Sequence, residues 1–415
     1  MKRMTLSEWE EKYIRGPVEH FDQKNTMFLR PLWDPEVNSR LDDWSFVGEV
    51  KDKPGYRIED LGLRWAARRG TMLMGLFNWY KPNPSPMAGA IKEVIRSHDP
   101  TMRTITGFAP SEDMKIDTSD PERVTRIIKK AARWFGADDV GICRLDRRWV
   151  YSHTFQSKGA RQISLEPGAK VTGGESLPQR IPEEYQYGVV LVFEEEYDLI
   201  KYYPSHVAHA ATSMGYSRMA VTNNYLATFI RHLGYQTIDG TTNDVANSIP
   251  MAMQAGLGDI GRNGLLIHPK WGPRVRLSKV ITDLPLVADA PIDFGVTEFC
   301  EKCGICAENC PSQSILHGER TPEPNNASNL RGTLKWPINA ETCRMYWARG
   351  NKPCTTCIAC CPYNKPDTWF HRTVRWFTDH LRWGDPFYIW ADKVMGFGRP
   401  KSPERFWDQW EPRRH

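Results

Sequence analysis

The sequence has few cysteines outside one short segment, no long apolar run and no marked excess of either charge. Of the ten cysteines only Cys143 lies outside residues 300–361, which argues against the dispersed disulfide framework of a small secreted protein. The 55 basic and 50 acidic side chains give a formal charge of +5, too small to indicate nucleic-acid binding. No apolar run reaches the roughly 18 residues that a membrane span requires.

Targeting signals are also scarce. The first residues, MKRMTLSEWEEKYIRG, contain acidic side chains and no apolar core, so no secretory signal is predicted. The pair Arg68-Arg69 precedes a partly apolar stretch, but Asn78 and Trp79 interrupt that stretch, and a twin-arginine signal is not expected so far from the start. We expect a cytoplasmic protein, or a mature exported form that lacks its leader.

Eight of the nine clustered cysteines form two groups with the spacing of bacterial iron–sulfur proteins. The first group follows C-x2-C-x2-C-x3-C-P, and the second ends in C-x2-C-x3-C-P after a displaced first cysteine. Because the cysteine before proline reaches the other cluster, the repeat predicts two [4Fe-4S] clusters with crossed ligation. Predicted cluster one is bound by Cys300, Cys303, Cys306 and Cys361. Predicted cluster two is bound by Cys343, Cys354, Cys357 and Cys310.

The cysteines alone leave two other interpretations open. The first is a pair of structural zinc sites, although zinc gives no reason for the x3-C-P ending. The second is a single cluster with spare thiols. Cys360 competes with Cys361, and the spacing and the following proline favour Cys361. Cys143 is expected to be a small apolar residue of a buried strand.

Alternating strand and helix patterns over 115–290 predict an α/β core. Helices are predicted over 121–136, 206–234 and 247–257, and the apolar run 187–195 is typical of a buried central strand. The polar loop 318–335 is predicted to be a surface insertion. The predicted divisions are an N-terminal cover region (1–115), the core (116–295), a ferredoxin-like iron–sulfur module (296–365) and an aromatic-rich C-terminal tail (366–415).

The densest stretch, GLGDIGRNGLLIHPKWGPRVRLSKVITDLPL, precedes FCEKCGICAENCPSQSI and CTTCIACCPYNKP. Its glycines allow close backbone approach to a ligand, but no clean strand precedes GLGDIG, which argues against a dinucleotide fingerprint. Over residues 185–370 these segments resemble the corrinoid-dependent reductive dehalogenases. The related epoxyqueuosine reductases share the plan of a corrinoid core with a ferredoxin module.

The resemblance implies a mixed α/β (α+β), nitroreductase-like core that binds a base-off cobalamin beside the ferredoxin-like module. Electrons would pass from a surface cluster through an inner cluster to cobalt and cleave a carbon–halogen bond. The D-x-H-x-x-G signature is absent, and Asp379-His380 has the wrong spacing, so no histidine ligand to cobalt is expected. The candidate corrinoid contacts are Gly256, Gly258, Gly261 and Gly264.

The resemblance also implies catalytic residues. The tyrosine that protonates the substrate carbon falls on Tyr216, its basic neighbour on Arg276, and an asparagine on Asn243. A cation within about 4–6 Å lowers the pKa of a tyrosine, which makes such a pair a proton donor. Arg274 is the alternative to Arg276, and Asn243 could instead cap a turn. Candidate residues of the substrate pocket are Thr212, Trp347 and Leu277.

Three functions follow as hypotheses. The first is reduction of a small organohalide with electrons from an external low-potential donor, such as a ferredoxin or flavodoxin-like protein. The second is epoxyqueuosine reduction on tRNA, for which the nearly balanced charge offers no support. The third is a non-catalytic electron or corrinoid carrier. Neither a nucleic-acid partner nor an intrinsic membrane span is expected.

Overall fold

The computed structural model describes residues 1–40, 51–71, 115–157, 174–242, 244–348 and 354–409. The strands in these residues are β1 (Lys2–Arg3), β2 (Asp139–Arg144), β3 (His153–Ser157), β4 (Gly174–Pro178), β5 (Tyr187–Glu194), β6 (Thr237–Gly240), β7 (Asp259–Ile260), β8 (Leu266–Ile267), β9 (Val275–Thr282) and β10 (Ile292–Asp293). The prediction for Asn243 falls outside the described residues.

Helices of very different length surround the strands. They are α1 (Leu6–Tyr13), α2 (Pro35–Ser39), α3 (Ile58–Ala67), α4 (Pro121–Trp134), α5 (Tyr197–Ile200), α6 (His206–His232), α7 (Ser248–Gln254), α8 (Val296–Cys303), α9 (Ile305–Glu308), α10 (Ala340–Ala348), α11 (Thr356–Ala359), α12 (Trp369–His380), α13 (Asp385–Met395) and α14 (Phe406–Gln409). Short 3-10 turns span Gln23–Asn25, Arg30–Leu32, Arg147–Trp149, Arg382–Gly384 and Pro403–Arg405.

A four-stranded sheet with the order β2-β5-β9-β6 lies at the centre of the fold. Its neighbouring strands are antiparallel throughout, so the fold has the mixed α and β content that was predicted, with an α+β sheet. The predicted central strand is β5, and Val189–Phe193 along it are completely buried. Burial on both faces explains why this strand is a continuous apolar run instead of an alternating one.

Two helices cover one face of the sheet. Helix α4 buries Val124, Ile128 and Ala132, which recur every four residues, and the Asp120 side chain accepts from the Arg123 amide at its start. Helix α6 begins at a Ser205 cap and runs for 27 residues. Both helices were predicted from the periodicity of the sequence and are confirmed. The opposite face of the sheet packs against α7 and Trp149.

The two chain ends fold back onto this core. Strand β1 pairs with β10, and Trp9 of α1 is buried against Trp149. In the C-terminal tail, Trp407 donates from Nε1 to Asp60 of α3 at 3.0 Å. Among the described residues, no helix combines the length and apolar character needed to cross a membrane.

Candidate active site

Helix α6 and strand β9 bring three of the predicted site residues together. Thr212 and Tyr216 lie one turn apart on α6, and Arg276 of β9 passes against the same face. Gly215 makes this approach possible, because a Cβ there would lie 2.9 Å from Cγ of Arg276. Arg276 Nη2 donates to Thr212 Oγ1 at 3.3 Å, and its guanidinium lies 5.3 Å from the centre of the Tyr216 ring. The arrangement places a cation beside a half-buried phenol.

A carboxylate that no motif indicated holds this cation in place. Glu195, directly after β5, has a completely buried side chain and accepts from Arg276 Nε at 2.7 Å. Burial by itself would lower the pKa of Arg276, but Glu195 and Tyr216 outweigh it and raise that pKa above the ordinary value. Arg276 is therefore always positively charged, and its ion pair with Glu195 fixes its position. The only signal in the sequence was an acidic residue at the end of the apolar run 187–195.

The alternative cation, Arg274, has different partners. It is completely buried, pairs with Glu194 and donates to the carbonyl of Glu195 at 3.0 Å. Its guanidinium also donates to the carbonyl of Lys365 at 3.3 Å. These bonds connect the core to the segment after the second cysteine group. Arg274 thus has its own partners, and Arg276 is the arginine that contacts the tyrosine.

Trp347 of α10 borders the same site. Its ring lies 6.4 Å from that of His209 and 6.3 Å from that of Phe28, measured between ring centres. Its Nε1 is buried and has no hydrogen-bond partner within the part of the chain that the structure describes. Burial lowers the pKa of His209 well below its ordinary value, and Arg64 and Arg276 lower it further, so the imidazole beside Trp347 is neutral.

Leu277 lies on the other side of the sheet from the Tyr216 cluster. Successive side chains of a strand point to opposite faces, so the neighbour of Arg276 on β9 points away from α6. Leu277 packs instead against the apolar cluster that contains Trp149 and Met253. Its role in the substrate pocket stays a prediction.

A cavity of about 380 Å³ opens on this second side of the sheet, within the range of small-molecule sites. Trp9, Trp149, Met253 and Trp336 are among its walls, and the predicted surface insertion 318–335 supplies another wall through Ser328–Leu330. Phe28 also lines the cavity, and its ring lies near that of Trp347, which in turn lies near His209 of α6.

Two donors in the cavity wall lack protein acceptors. Trp9 Nε1 and Asn247 Nδ2 are buried and have no hydrogen-bond partner among the described residues. Buried polar groups are normally paired, so a bound molecule that carries amide or phosphate oxygens would satisfy them. The walls therefore suit a ligand with an apolar body and oxygen-bearing polar groups.

The four glycines proposed as corrinoid contacts separate into two kinds. Gly264 lines the 380 Å³ cavity, and Gly261 lines a second cavity formed by thiols. Gly256 and Gly258 have φ angles of +70° and +157°, and a Cβ on them would lie 2.5 Å and 2.3 Å from backbone carbonyl oxygens. Tight backbone packing accounts for these last two glycines, and their contact with a corrinoid stays a prediction.

The thiols predicted for cluster one surround a single cavity. Its lining includes Cys300, Cys303, Cys306 and Cys361. Burial raises the pKa of Cys361 well above its ordinary value, and the other three thiols raise it further. Among the described residues no group of three or more His, Cys, Asp or Glu side chains is arranged to hold a single metal ion. Cys360 is buried beside Gly398 and does not line the cavity.

The thiols predicted for cluster two are also neighbours. Burial, then Cys354 and Cys310, raise the pKa of Cys343 to about 12. Burial would raise the pKa of Cys310, but hydrogen bonds outweigh it and lower that pKa, and the Ser314 amide donates to its sulfur at 3.3 Å. Such donors are typical around cluster sulfurs, because they stabilise the thiolate.

Cys357 connects the thiols to the tyrosine cluster. Burial raises its pKa well above the ordinary value, with Cys354, Cys343, Cys360 and Cys306 adding to the effect. Its thiol is also among the groups that raise the pKa of Arg276. Cys357 is therefore within electrostatic range both of the first thiol group and of Arg276.

Comparison with known proteins identifies the family. No protein-family model matches the chain. A tetrachloroethene reductive dehalogenase of Sulfurospirillum multivorans is 39% identical over 303 residues, which are 70% of this chain and 60% of that protein. One of Desulfitobacterium hafniense is 38% identical over 308 residues, 68% of this chain and 55% of that protein. The chain belongs to the reductive dehalogenase family.

The reductive dehalogenase fold extends over almost all of the chain. A solved catabolic reductive dehalogenase superposes on 98% of it with a TM-score of 0.67 at 21% identity, and the match covers 50% of that chain. A solved reductive dehalogenase described with a mechanism for B12-dependent dehalogenation gives a TM-score of 0.66. The chain spans 55 to 60% of the length of the two curated relatives named above. An epoxyqueuosine reductase of Lactococcus garvieae matches only 28% of it.

Proposed function

We propose that the protein cleaves a carbon–halogen bond of a small organohalide by reduction. The balanced reaction is R–X + 2 e⁻ + H⁺ → R–H + X⁻. The observation that carries the proposal is the contact of Arg276 with Thr212 and with the ring of Tyr216, next to the thiol of Cys357. A proton donor, a fixed cation and an electron path meet there.

The proposal includes a base-off cobalamin and two [4Fe-4S] clusters. Each predicted set of four thiols would supply the ligands of one cubane, and the presence of Cys361 in the lining of the first thiol cavity supports the crossed pairing. The 380 Å³ cavity and its unpaired donors support a corrinoid between a nitroreductase-like core (116–295) and a ferredoxin-like module (296–365). When bound, the corrinoid would supply low-valent cobalt as the source of the electron pair for the carbon–halogen bond.

The protein's own residues would donate the proton that the reaction requires. Tyr216 would donate its hydroxyl proton to carbon, and Arg276 would stabilise the phenolate left behind. Glu195 keeps Arg276 at that position. Trp347 and the neutral His209 form a wall that limits the access of water. An external low-potential protein, such as a ferredoxin or flavodoxin, would supply the electrons.

The proposal is tested by a halide-release screen. Anaerobically purified holoenzyme is supplied with reduced methyl viologen and a panel of chlorinated and brominated alkenes and phenols. We expect halide release in proportion to the electrons consumed, two for each halide. Full cofactor content with reduction of epoxyqueuosine-containing tRNA, and no halide from any substrate, would replace this function with the tRNA alternative.

Glu195→Gln is expected to lower halide release by about 100-fold. An amide holds Arg276 less firmly than a carboxylate, and a displacement of about 1 Å at a reacting centre costs roughly that factor. The variant leaves a buried cation unpaired, so its free energy of unfolding should fall by about 3 kcal/mol. Urea denaturation and steady-state kinetics measure the two effects.

The matched control is Glu194→Gln. Glu194 pairs with Arg274, which is also buried but does not contact Tyr216. We expect this variant to lose stability as well but to retain most of its turnover. An equal loss of turnover in both variants would mean that Glu195 supports the fold and has no special role in positioning Arg276.

A further inference from the structure

Tyr216 lies beside a second cation that the family resemblance did not indicate. The guanidinium of Arg68 lies 5.1 Å from the centre of the Tyr216 ring, slightly closer than that of Arg276 at 5.3 Å. Both distances fall within the range of a cation–π contact. Arg68 belongs to the Arg68-Arg69 pair, which is not expected to be a targeting signal.

The contact is fixed by the way α3 ends on α6. Ser217, the neighbour of Tyr216, donates from Oγ to the carbonyl of Ala67 at 2.6 Å, and its Oγ accepts from the Thr71 amide at 3.3 Å. Gly70 allows this close approach, because a Cβ there would lie 2.8 Å from Cβ of Ser217. The end of α3 is thus clamped onto α6, and Arg68 is held over the phenol ring.

The charges around Tyr216 make this second cation important. Arg276 is paired with Glu195, so the two together bring little net charge to the phenol. Arg64, one turn before Arg68 on α3, contacts His206 at 3.2 Å. Within the described ranges no carboxylate forms an ion pair with Arg68. His209, on the same face of α6, is neutral. Among the described residues, Arg68 is therefore a cation over the Tyr216 ring that no carboxylate neutralises.

We propose that Arg68 is a positioning and electrostatic residue of the reaction, which acts through Tyr216 by stabilising the phenolate that forms when the proton leaves. The inference rests on the proposed function for its effect on the rate. Its effect on the ionisation of Tyr216 is independent of the reaction. Arg69 offers a matched control, because it carries the same charge one residue further along and its side chain is exposed.

The experiment compares Arg68→Gln, Arg68→Lys and Arg69→Gln in the holoenzyme. Halide release is measured as a function of pH. The tyrosinate absorbance of Tyr216 is obtained in each background as the difference from the same protein with Tyr216→Phe. We expect Arg68→Gln to slow halide release about tenfold and to move the alkaline decline and the tyrosinate signal to higher pH. Arg68→Lys keeps the charge, so its rate of halide release and its tyrosinate signal should stay close to those of the parent protein. Arg69→Gln should change neither the rate nor the signal.

Two results would overturn the inference. One is a rate loss in Arg68→Gln that is the same at every pH, with an unmoved tyrosinate signal, which would indicate only a structural role. The other is an equal effect of Arg69→Gln, which would indicate a general loss of positive charge. If no substrate releases halide, the proposed function fails, but the tyrosinate titration still decides the role of Arg68. Arg68→Met replaces Arg68→Gln if the latter does not fold.

Discussion

Halide release is expected to fall by about 100- to 10,000-fold when Tyr216 is replaced with phenylalanine, the usual contribution of a positioned general acid. The substitution removes only the hydroxyl, so the ring beside Arg68 and Arg276 should remain in place. Iron content, cobalt content and stability should therefore be unchanged. Steady-state kinetics with the best substrate of the screen, together with metal analysis of the same sample, measures this.

Tyr225→Phe is the control for that experiment. Tyr225 lies on the same helix, but its side chain is half exposed and its ring packs 5.8 Å from that of Phe135. We expect normal turnover from it. Normal turnover in Tyr216→Phe, for every substrate that the parent protein converts, would remove the tyrosine from the mechanism and leave the carrier hypothesis as the better account.

The second large effect is expected from Cys361→Ala. Cys361 lines the same cavity as Cys300, Cys303 and Cys306, so its loss leaves predicted cluster one with three protein ligands. We expect the iron content to fall from about eight to about four per chain, since each cubane holds four irons. Halide release driven by the external donor should fall below detection, because the electron path from the surface is broken. Metal analysis and the iron–sulfur absorbance of the same preparation measure the change.

The adjacent Cys360→Ala provides an unusually close control. Cys360 is equally buried, but it packs against Gly398 and does not line the thiol cavity. Its replacement should leave the iron content and the turnover intact. If Cys360→Ala loses iron and Cys361→Ala does not, the crossed ligation predicted from the x3-C-P spacing is wrong for this chain.

Local patterns were sufficient for the elements that depend on local physics. The period of α6, the apolar run of β5 and the cap at Asp120 each reflect interactions within a few residues, and the structure has them where they were predicted. The α+β pairing of the sheet depends on contacts between distant segments. Alternation of strands and helices does not determine strand direction, so the antiparallel order could not be derived from it.

The candidate site was only partly predictable for the same reason. Tyr216 and Arg276 were predicted because they lie in short motifs that carry the family resemblance. Glu195 and Arg68 approach them from positions about 80 and 150 residues away, which no spacing rule connects. The loop 318–335 was interpreted as surface because it is polar, yet part of it forms a wall of the 380 Å³ cavity. A polar wall is expected around a ligand with polar side arms, and composition alone does not distinguish it from a solvent-exposed loop.

The most direct test of the central claim is the cobalt and iron content of the anaerobically purified protein, measured per chain by elemental analysis. Two cubanes and one corrinoid predict about eight irons and about one cobalt. Iron at that level with no cobalt, after growth with cobalamin supplied, would contradict the account. The two clusters would then have no corrinoid to reduce.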